Sequence, residues 1–169
     1  MTKMIMNQEE IQRAMNRIAF EILERFHGVE SVVLVGIETR GIDIATRIQK
    51  KLESIEGPVE CISLNIHAYR DDVRSKQALK RSDALTQKHV VIVDDVLFTG
   101  RSVRSSMDAI IDLGRPASIS LAVLIDRGHR ELPISADFIG KNIPSSLKER
   151  IYVQTVETDG IDRVVLETT

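Results

Sequence analysis

The segment Val90–Ser102 constrains the fold more strongly than any other part of this sequence. It begins with four consecutive β-branched residues and lacks the alternation of apolar and polar side chains that marks a half-exposed strand. Such a run is typical of a strand that is buried on both faces in a parallel sheet. Asp94 and Asp95 end the run, and a turn with Gly100 leads to apolar residues at helical spacing over 103–113. A strand, an acidic pair, a short loop and a helix in this order predict an α/β fold.

The chemistry of these residues predicts a ligand site at the turn. In open α/β sheets, ligands bind beyond the carboxyl ends of the strands, and a helix N-terminus there favours an anion. The hydroxyls of Thr99 and Ser102, and the close approach that Gly100 permits, suit a phosphate group. Asp94 and Asp95 only accept hydrogen bonds, so they suit a vicinal diol, directly or through a metal-bound water. A ribose 5-phosphate satisfies both halves of the segment.

Other interpretations of the same segment are weaker. Any strand, turn and capped helix can carry these residues without binding a ligand, and for the segment alone this inert connection stays open. A receiver domain also has an acidic cluster after a strand, but that cluster is expected near the start of the chain rather than at residue 94 of 169. A Walker A loop is excluded because the sequence contains no Gly-Lys-Ser or Gly-Lys-Thr.

Length and composition bound the class of protein. At 169 residues the chain suits one domain, and 23 basic against 25 acidic side chains argue against indiscriminate nucleic-acid binding. Cys61 is the single cysteine, which excludes an intrachain disulfide, favours a reducing compartment and indicates a buried structural thiol. No apolar run approaches the ~20 residues of a transmembrane helix, and the N-terminus lacks a signal-peptide profile. We therefore expect a cytoplasmic protein without a membrane partner.

Apolar periodicity predicts the remaining elements. A capping box of Asn7 and Glu10 begins a long amphipathic helix that ends at His27–Gly28. Within this helix we expect Met15 and Phe20 to be packing residues. The further elements that we predict are a strand over 31–35, a helix over 42–52, a strand over 59–69, a buried strand over 118–125, and two strands over 150–156 and 163–167 that join near Asp159–Gly160.

Two loops have compositions that suit an anionic substrate. Residues 36–41 follow the first strand, and their Gly, Thr and Arg can bring backbone N–H groups and a guanidinium to a diphosphate. A tight turn with Thr39 as helix N-cap is an equally open alternative. Residues 70–88 are polar and cationic on balance, which suits a lid over a polyanion, although most such loops are merely solvated.

Five stretches of the sequence together resemble a known family. They are Val90–Ser102, Val35–Gly41, Tyr69–Asp72, Asp126–Pro133 and Ile139–Pro144. The first closely resembles the binding motif for 5-phosphoribosyl 1-diphosphate (PRPP) in type I phosphoribosyltransferases. The others resemble the bifunctional regulators of pyrimidine operons that have uracil phosphoribosyltransferase activity, and the resemblance covers nearly the whole chain. It implies a type I phosphoribosyltransferase fold, with one domain over residues 1–169, in which a mostly parallel central sheet is flanked by helices and carries a small appended hood.

The resemblance implies transfer of the phosphoribosyl group of PRPP to uracil, giving UMP and diphosphate, with Mg²⁺ as cofactor. The catalytic roles that it implies belong to Arg40, Tyr69, Arg70, Asp94 and Asp95, of which the two aspartates also contact the metal through water. The diphosphate is assigned to Thr39, Arg40 and Gly41, and the base to Asp126, Arg127, Ile139 and Gly140. PRPP as a whole is assigned to Val90, Val91, Ile92, Val93, Asp94, Asp95, Val96, Leu97, Phe98, Thr99, Gly100, Arg101 and Ser102.

The resemblance also implies an activity of another class, the control of pyrimidine-operon transcription by attenuation. In this activity the protein binds leader mRNA with UMP or UTP as co-repressor, and Arg17 and Arg130 are assigned to the RNA. For Arg17, a solvated helix face is the alternative. The sequence has no arginine-rich tract and no aromatic RNA-binding signature. Phe20 and Ser135 stand where the family pattern has histidine and arginine, so a salvage enzyme without RNA binding is the alternative function.

Three further expectations follow from the resemblance. The loop over 70–88 is shorter than the family pattern, which bears on turnover more than on ligand binding. The segments that begin at Asp126 and Ile139 favour uracil over hypoxanthine or orotate as the base. The exposed positions of the first helix, together with the family, indicate a homodimer or a larger homo-oligomer.

Overall fold

The long apolar run forms the central strand of the structure, a computed structural model that describes residues 1–67 and 85–169. Within these residues the elements are β1 (Thr2–Met6), α1 (Gln8–Phe26), β2 (Val32–Ile37), α2 (Arg40–Ile55), β3 (Glu60–Leu64), β4 (His89–Leu97), α3 (Arg101–Leu113), β5 (Ser118–Asp126), β6 (Phe138–Asn142), β7 (Glu149–Gln154), α4 (Val156–Asp159) and β8 (Arg163–Thr168). Tyr69, Arg70 and most of the loop predicted over 70–88 lie outside the described residues.

Five of these strands form a parallel sheet in the order β3-β2-β4-β5-β6, with β4 at its centre. In register, Ile92 of β4 lies between Val35 of β2 and Leu121 of β5. Successive residues of a strand point to opposite faces, so Val91 joins one hydrophobic core and Ile92 the other. Both faces of β4 are therefore covered, which explains why its sequence does not alternate.

Helices supply the cover on both faces. α1 and α2 pack on one face, and the buried residues of α1 are Ile11, Ala14, Met15, Ile18, Ala19 and Ile22. α3 packs on the other face through Val103, Ala109 and Ile110. At the start of α1, the Asn7 side chain accepts the Glu10 N–H at 2.9 Å, and the Glu10 carboxylate accepts the Asn7 N–H at 2.8 Å. The predicted capping box is thus confirmed.

A second, smaller sheet forms a hood beside the carboxyl ends of β2 and β4. Its strands β1, β8 and β7 pair antiparallel in that order, and α4 connects β7 to β8. Ile151, Val153 and Val164 of the hood join the core that α1 and α2 form. The hood is therefore anchored to the helical layer. The predicted architecture, a mostly parallel sheet flanked by helices with a small hood, is confirmed.

The extent of two strands differs from the prediction. β4 continues through Asp94 and Asp95 to Leu97, so the two carboxylates lie within the strand instead of ending it. The reason is that β5 is also longer than predicted, and Leu97 still pairs with Asp126. The strand predicted over 59–69 ends at Leu64, and residues 66 and 67 are helical.

Two further features differ from the sequence prediction. Phe20 is 53% exposed, with Lys51 over its ring, so it is not the packing residue that we expected. β1 was not predicted, because its pairing partner β8 lies at the opposite end of the chain. Cys61 is partly buried, and burial raises the pKa of its thiol to about 11, which agrees with a structural role.

Of the helices in the described part of the chain, none has both the length and the apolar composition that are needed to cross a membrane.

Candidate functional site

The predicted acidic pair lies near the carboxyl end of β4. Asp94 is 9% exposed, and its carboxylate accepts the N–H of Asp95 at 2.8 Å. The carboxylate of Asp95 accepts the N–H of Val96 at 2.7 Å. Burial, together with the neighbouring carboxylate of Asp95, raises the pKa of Asp94 well above its usual range. Ionising both carboxyl groups is therefore unfavourable until a ligand or a cation compensates the charge.

A small pocket of about 140 Å³ follows directly after this pair and is lined by Asp94 and residues 96–103. Gly100 is the N-cap of α3 and has a φ of +93°, a left-handed conformation that a side chain would strain. Because the N-cap is a glycine, it has no side chain to cover the N-terminus of α3, where the first N–H groups of a helix lack intrahelical partners. The pocket suits a phosphate group, and Thr99, Gly100 and Ser102, the residues predicted to suit a phosphate, come together around it.

The first four residues of the central segment do not line this pocket. Val90, Val91, Ile92 and Val93 are each 0% exposed and pack in the two hydrophobic cores. They hold β4 in the sheet. Their contribution to ligand binding is therefore indirect, because they determine where the acidic pair lies.

The loop predicted to bind diphosphate lies beside the acidic pair. Thr39 is the N-cap of α2 but makes no side-chain capping bond, and the Glu38–Thr39 peptide is cis. A Cβ atom added to Gly41 would lie 2.7 Å from the backbone oxygen of Val93 and 3.3 Å from Cα of Asp94. A larger residue would therefore push the loop away from β4. Glycine at this position brings the loop and the acidic pair together.

Arg40 and Asp95 line one larger cavity, of about 540 Å³, between the hood and the sheet. Its other lining residues belong to the hood and are Thr2, Ile151, Tyr152, Val153, Gln154, Arg163, Val165 and Glu167. Arg40 also donates to Asp159 of α4, and this hydrogen bond raises the pKa of Arg40 and lowers that of Asp159. A guanidinium and a carboxylate in one cavity suit a ligand that carries both an anionic group and hydroxyl groups.

The hood residues of this cavity were not predicted from the sequence. Along β7, Tyr152 and Gln154 alternate with the buried Ile151 and Val153, so a polar face was readable from the period of two. The side chain of Arg163 on β8 donates a hydrogen bond to the amide oxygen of Gln154. The sequence could not predict that this face lines the cavity, because two further strands separate β4 from β7 along the chain.

Asp126 and Arg127, both predicted to bind the base, are not among the lining residues of the cavity. Arg127 is buried, and its guanidinium lies 4.2 Å from the centre of the Phe98 ring. Asp126 accepts a hydrogen bond from Arg130 at 2.5 Å. Arg130 also donates to the backbone oxygens of Phe98 and Ile134, each at 2.9 Å. The segment after β5 therefore braces the phosphate loop.

Ile139 and Gly140, also predicted to bind the base, lie on β6 at the edge of the sheet, outside the lining of the cavity. Their backbone oxygens accept hydrogen bonds from Arg17 at 2.8 and 2.5 Å. Arg17 and Arg130, the two arginines assigned to RNA, thus both form hydrogen bonds within the chain. Of the two, Arg17 is the more exposed, with 53% of its side chain accessible against 22% for Arg130.

The acidic pair has the donor atoms that a magnesium site needs. Within residues 1–67 and 85–169, no group of three or more His, Cys, Asp or Glu side chains is placed to hold a metal ion. Mg²⁺ takes oxygen ligands and keeps several waters, so one or two carboxylates together with substrate oxygens are a sufficient donor set. The side chains of Asp94 and Asp95 fit that description.

Comparisons with known proteins agree with this geometry. The family of the phosphoribosyl transferase domain matches residues 1–154. The bifunctional protein PyrR of Chloroflexus aurantiacus is 54% identical over 171 residues, which cover 97% of this chain and 94% of that protein. The protein of the same name from Clostridioides difficile is 53% identical over 170 residues, which cover 96% of each chain.

Solved structures show the same fold at low identity. The HGPRT-ase of Leishmania tarentolae in complex with GMP has a TM-score of 0.75 at 17% identity, covering 99% of this chain and 97% of that chain. A hypoxanthine phosphoribosyltransferase from Staphylococcus aureus has a TM-score of 0.73 at 17% identity, covering 99% and 92%. The predicted type I phosphoribosyltransferase fold is confirmed. By sequence and fold together, the chain belongs to the phosphoribosyltransferase family and, within it, to the PyrR group.

Proposed function

We propose that this chain transfers the 5-phosphoribosyl group of PRPP to uracil, forming UMP and diphosphate. The observation that carries this proposal is the position of Arg40 and Asp95 in one cavity, next to a phosphate-sized pocket at the start of α3. PRPP has a 5′-phosphate, a ribose diol and a diphosphate, and these groups match the small pocket, the acidic pair and Arg40 in that order. The PyrR relatives at 53–54% identity support the same activity.

The proposed reaction depends on stabilising a leaving group. N1 of uracil bonds to C1′ of the ribose while the bond from C1′ to the diphosphate oxygen breaks. The diphosphate keeps the electron pair, and the N1 proton passes to solvent. Arg40, with Thr39 and Gly41, binds the charge that develops on the diphosphate, while Asp94 and Asp95 orient the ribose hydroxyls. We assign no general base.

Mg²⁺ is the proposed cofactor, and when bound it neutralises charge on the diphosphate. Asp94 and Asp95 would hold it through water molecules. Tyr69 and Arg70 are proposed to close over the diphosphate from the lid side, and both residues lie outside the part of the chain that the structure describes.

The enzymatic proposal is tested by measuring UMP formation from uracil, PRPP and Mg²⁺. We expect turnover with uracil and at least tenfold less with hypoxanthine or orotate at equal concentration. Faster turnover with either of those bases would overturn the choice of uracil. Failure of the folded protein to form a nucleotide with any of the three bases would overturn the proposal as a whole.

We also propose that the chain binds the leader mRNA of a pyrimidine operon, with UMP or UTP as co-repressor. Arg17 and Phe20 lie at positions i and i+3 of α1, which are neighbours on a helix surface, and both side chains are more than half exposed. A cation beside an exposed aromatic ring suits an unpaired base and its phosphate. The bifunctional PyrR relatives support this second role.

One observation favours the alternative of a salvage enzyme without RNA binding. Arg130 and Arg17, both assigned to RNA, each form an ion pair within the chain and each donate to two backbone oxygens, so much of their hydrogen-bonding capacity is already used.

Filter binding of a transcribed leader RNA, with and without UMP, separates these two functions, with a scrambled transcript of equal length as control. We expect UMP-dependent binding of the leader that weakens by about 5- to 150-fold in Phe20→Ala, because stacking on one aromatic ring contributes about 1–3 kcal/mol. Equal binding of both transcripts, or binding of neither, would favour the salvage enzyme.

We further propose a cytoplasmic protein of one domain over residues 1–169 that forms a homodimer or a larger homo-oligomer. Light scattering of the purified chain measures its mass in solution, and a monomer at micromolar concentration would overturn the last of these proposals.

A further inference from the structure

We propose that Asp159, on the short helix α4 of the hood, is a positioning residue that holds Arg40 in place for the diphosphate of the sugar donor. The inference deepens the proposed function and rests on it. Asp159 is not among the residues that line the cavity, and the sequence analysis treated it only as part of a turn. Its role follows from what its carboxylate contacts.

The contact between Asp159 and Arg40 has two hydrogen bonds. Nε of Arg40 donates to Oδ2 of Asp159 at 3.1 Å, and Nη2 donates to Oδ1 at 2.8 Å. Such a fork fixes the plane of a guanidinium as well as its position. The fork uses two of the five N–H donors of Arg40, which leaves donors for phosphate oxygens. Arg40 is also the more exposed partner, with 38% of its side chain accessible against 14% for Asp159.

The backbone of the hood holds Asp159 itself in position. Its Oδ2 atom accepts the N–H of Thr155 at 2.9 Å, directly before α4. The hydroxyl groups of Thr155 and Thr158 both donate to Asp43 of α2, at 2.7 and 2.5 Å. Asp159 thus lies on a turn that is tied at both ends to the helix that begins with Arg40.

Arg47 supplies the second tie between α2 and this part of the hood. Its guanidinium donates two hydrogen bonds to Glu157 and two to Asp162, at distances between 2.6 and 2.9 Å. Arg40, Asp43 and Arg47 follow one another at spacings of three and four residues, so they share one face of α2. We name the segment from Thr155 to Asp162 the hood turn. It is a rigid support for Arg40, because three side chains of α2 bind it.

This support matters because a free arginine side chain has many rotamers, and it loses that conformational entropy when it binds a ligand. Arg40 loses much of that freedom in the protein alone, so the diphosphate meets a guanidinium that is already ordered. The opposite effect is the negative charge of Asp159, which repels the diphosphate. Removal of that charge would raise the KM for PRPP through the loss of ordering and lower it through the loss of repulsion. We expect the loss of ordering to be the larger effect.

The test uses Asp159→Asn in the full chain, with Asp162→Asn as the matched control. Both variants remove one carboxylate charge from the hood turn, but Asp162 pairs with Arg47 and is not among the cavity residues. For Asp159→Asn we expect a roughly tenfold higher KM for PRPP and a roughly tenfold weaker binding of inorganic diphosphate, with kcat changed less than threefold. For Asp162→Asn we expect a lower Tm and unchanged constants for PRPP and diphosphate.

Two further variants separate positioning from a general loss of structure. In an Arg40→Ala background, Asp159→Asn should cause no additional change in diphosphate binding, because its effect acts through Arg40. Asp159→Glu keeps the charge and should recover part of the affinity.

Three outcomes decide between the inference and the function on which it rests. An unchanged or lower KM for PRPP in Asp159→Asn would overturn the positioning role while leaving the proposed function intact. An equal loss of affinity in Asp162→Asn would likewise overturn it, because the effect would then be structural. A wild-type protein that forms no UMP and binds no diphosphate would instead overturn the proposed function.

Discussion

The acidic pair of β4 and the carboxylates of the hood turn have opposite electrostatic surroundings. Asp94 and Asp95 are adjacent, and among the described residues no cationic side chain forms an ion pair with either of them. Burial and the neighbouring charge raise the pKa of Asp94. In the hood turn, by contrast, hydrogen bonds from arginine lower the pKa of both Glu157 and Asp159. Asp94 is therefore costly to ionise, whereas the arginines favour the ionised forms of Glu157 and Asp159.

This difference indicates how each group contributes to the protein. Compensated carboxylates stabilise the folded chain and hold α2 against the hood. Uncompensated carboxylates lower stability, and they are retained where a ligand supplies the missing interactions. The contrast therefore separates a supporting cluster, which binds Arg40 through Asp159, from a candidate catalytic pair, of which Asp95 shares a cavity with Arg40.

The largest effect is expected from Asp95→Asn. The amide oxygen can still accept the Val96 N–H, so the local fold is kept, but the charge that orients the ribose diol is lost. We expect kcat/KM for PRPP to fall by about 10²–10³-fold, as for other groups that act on the transition state. Steady-state UMP formation measures kcat/KM for PRPP, and circular dichroism checks that the variant is folded. Full turnover by this variant would contradict the proposed role of Asp95 in orienting the ribose diol.

Arg47→Met should cause the largest loss of stability. It leaves the charge of Asp162, whose side chain is only 8% exposed, without its ion-pair partner, whereas Glu157 is 45% exposed and can be solvated. Breaking a buried ion pair in this way lowers the free energy of unfolding by about 3 kcal/mol. Urea denaturation monitored by circular dichroism measures this change.

Arg101→Met is the control for that measurement. Its ion pair with Glu131 is exposed, with 64% and 51% of the two side chains accessible, so we expect a change below about 1 kcal/mol. Equal losses in the two variants would contradict the view that the hood turn is a distinct supporting cluster.

In contrast to Arg47→Met, Asp94→Asn should increase the stability of the protein in the absence of Mg²⁺ and PRPP. The raised pKa means that the folded state holds the Asp94 proton more tightly than the unfolded state does. The stability linked to Asp94 is therefore complete below the unfolded pKa, near 4, and is lost as pH rises through the higher folded pKa. At pH 8 the free energy of unfolding of the variant should exceed that of the wild type by about 1 kcal/mol. At pH 4 the two free energies should be equal. A loss of stability in Asp94→Asn at pH 8 would show that other groups of the protein already compensate the negative charge of Asp94 and Asp95.

The hood turn should show the reverse pH dependence, with a smaller amplitude. Hydrogen bonds from Arg47 lower the pKa of Glu157. Burial raises the pKa of Asp162, but Arg47 and the Val156 N–H together outweigh burial, so this pKa is also lowered. Their contribution is complete above the unfolded pKa, near 4, and is lost as pH falls through the lower folded values. The stability difference between wild type and Arg47→Met should thus narrow from pH 7 to pH 3 in urea denaturation. A constant difference would mean that Arg47 acts through packing.

Local patterns predicted the elements well where neighbouring residues decide the conformation. The capping box of Asn7 and Glu10 lies within one helical turn, and Gly100 lies between a strand and the helix that it begins. Predictions were wrong where a distant element decides. Phe20 was expected to pack in the core, but only elements that are distant in the chain can cover a helix residue, and it is 53% exposed. β1 forms only because β8 supplies its hydrogen-bond partners.

The candidate site divides in the same way. The phosphate pocket is built from consecutive residues after β4, so its members could be named from the sequence. The larger cavity joins Arg40 and Asp95 to hood residues that the sequence analysis did not select. The four residues assigned to the base lie outside its lining, and their assignment stays a prediction.

The sequence by itself determined the family, the central strand with its acidic pair, and the phosphate loop, because each has a signature in consecutive residues of the chain. Only the tertiary structure decided which side chains complete the cavity and which hold Arg40. Arg40 and Asp159 are 119 positions apart, and their hydrogen bonds exist because α2 and the hood pack side by side. Such pairings depend on how the layers pack, and no local periodicity records that information.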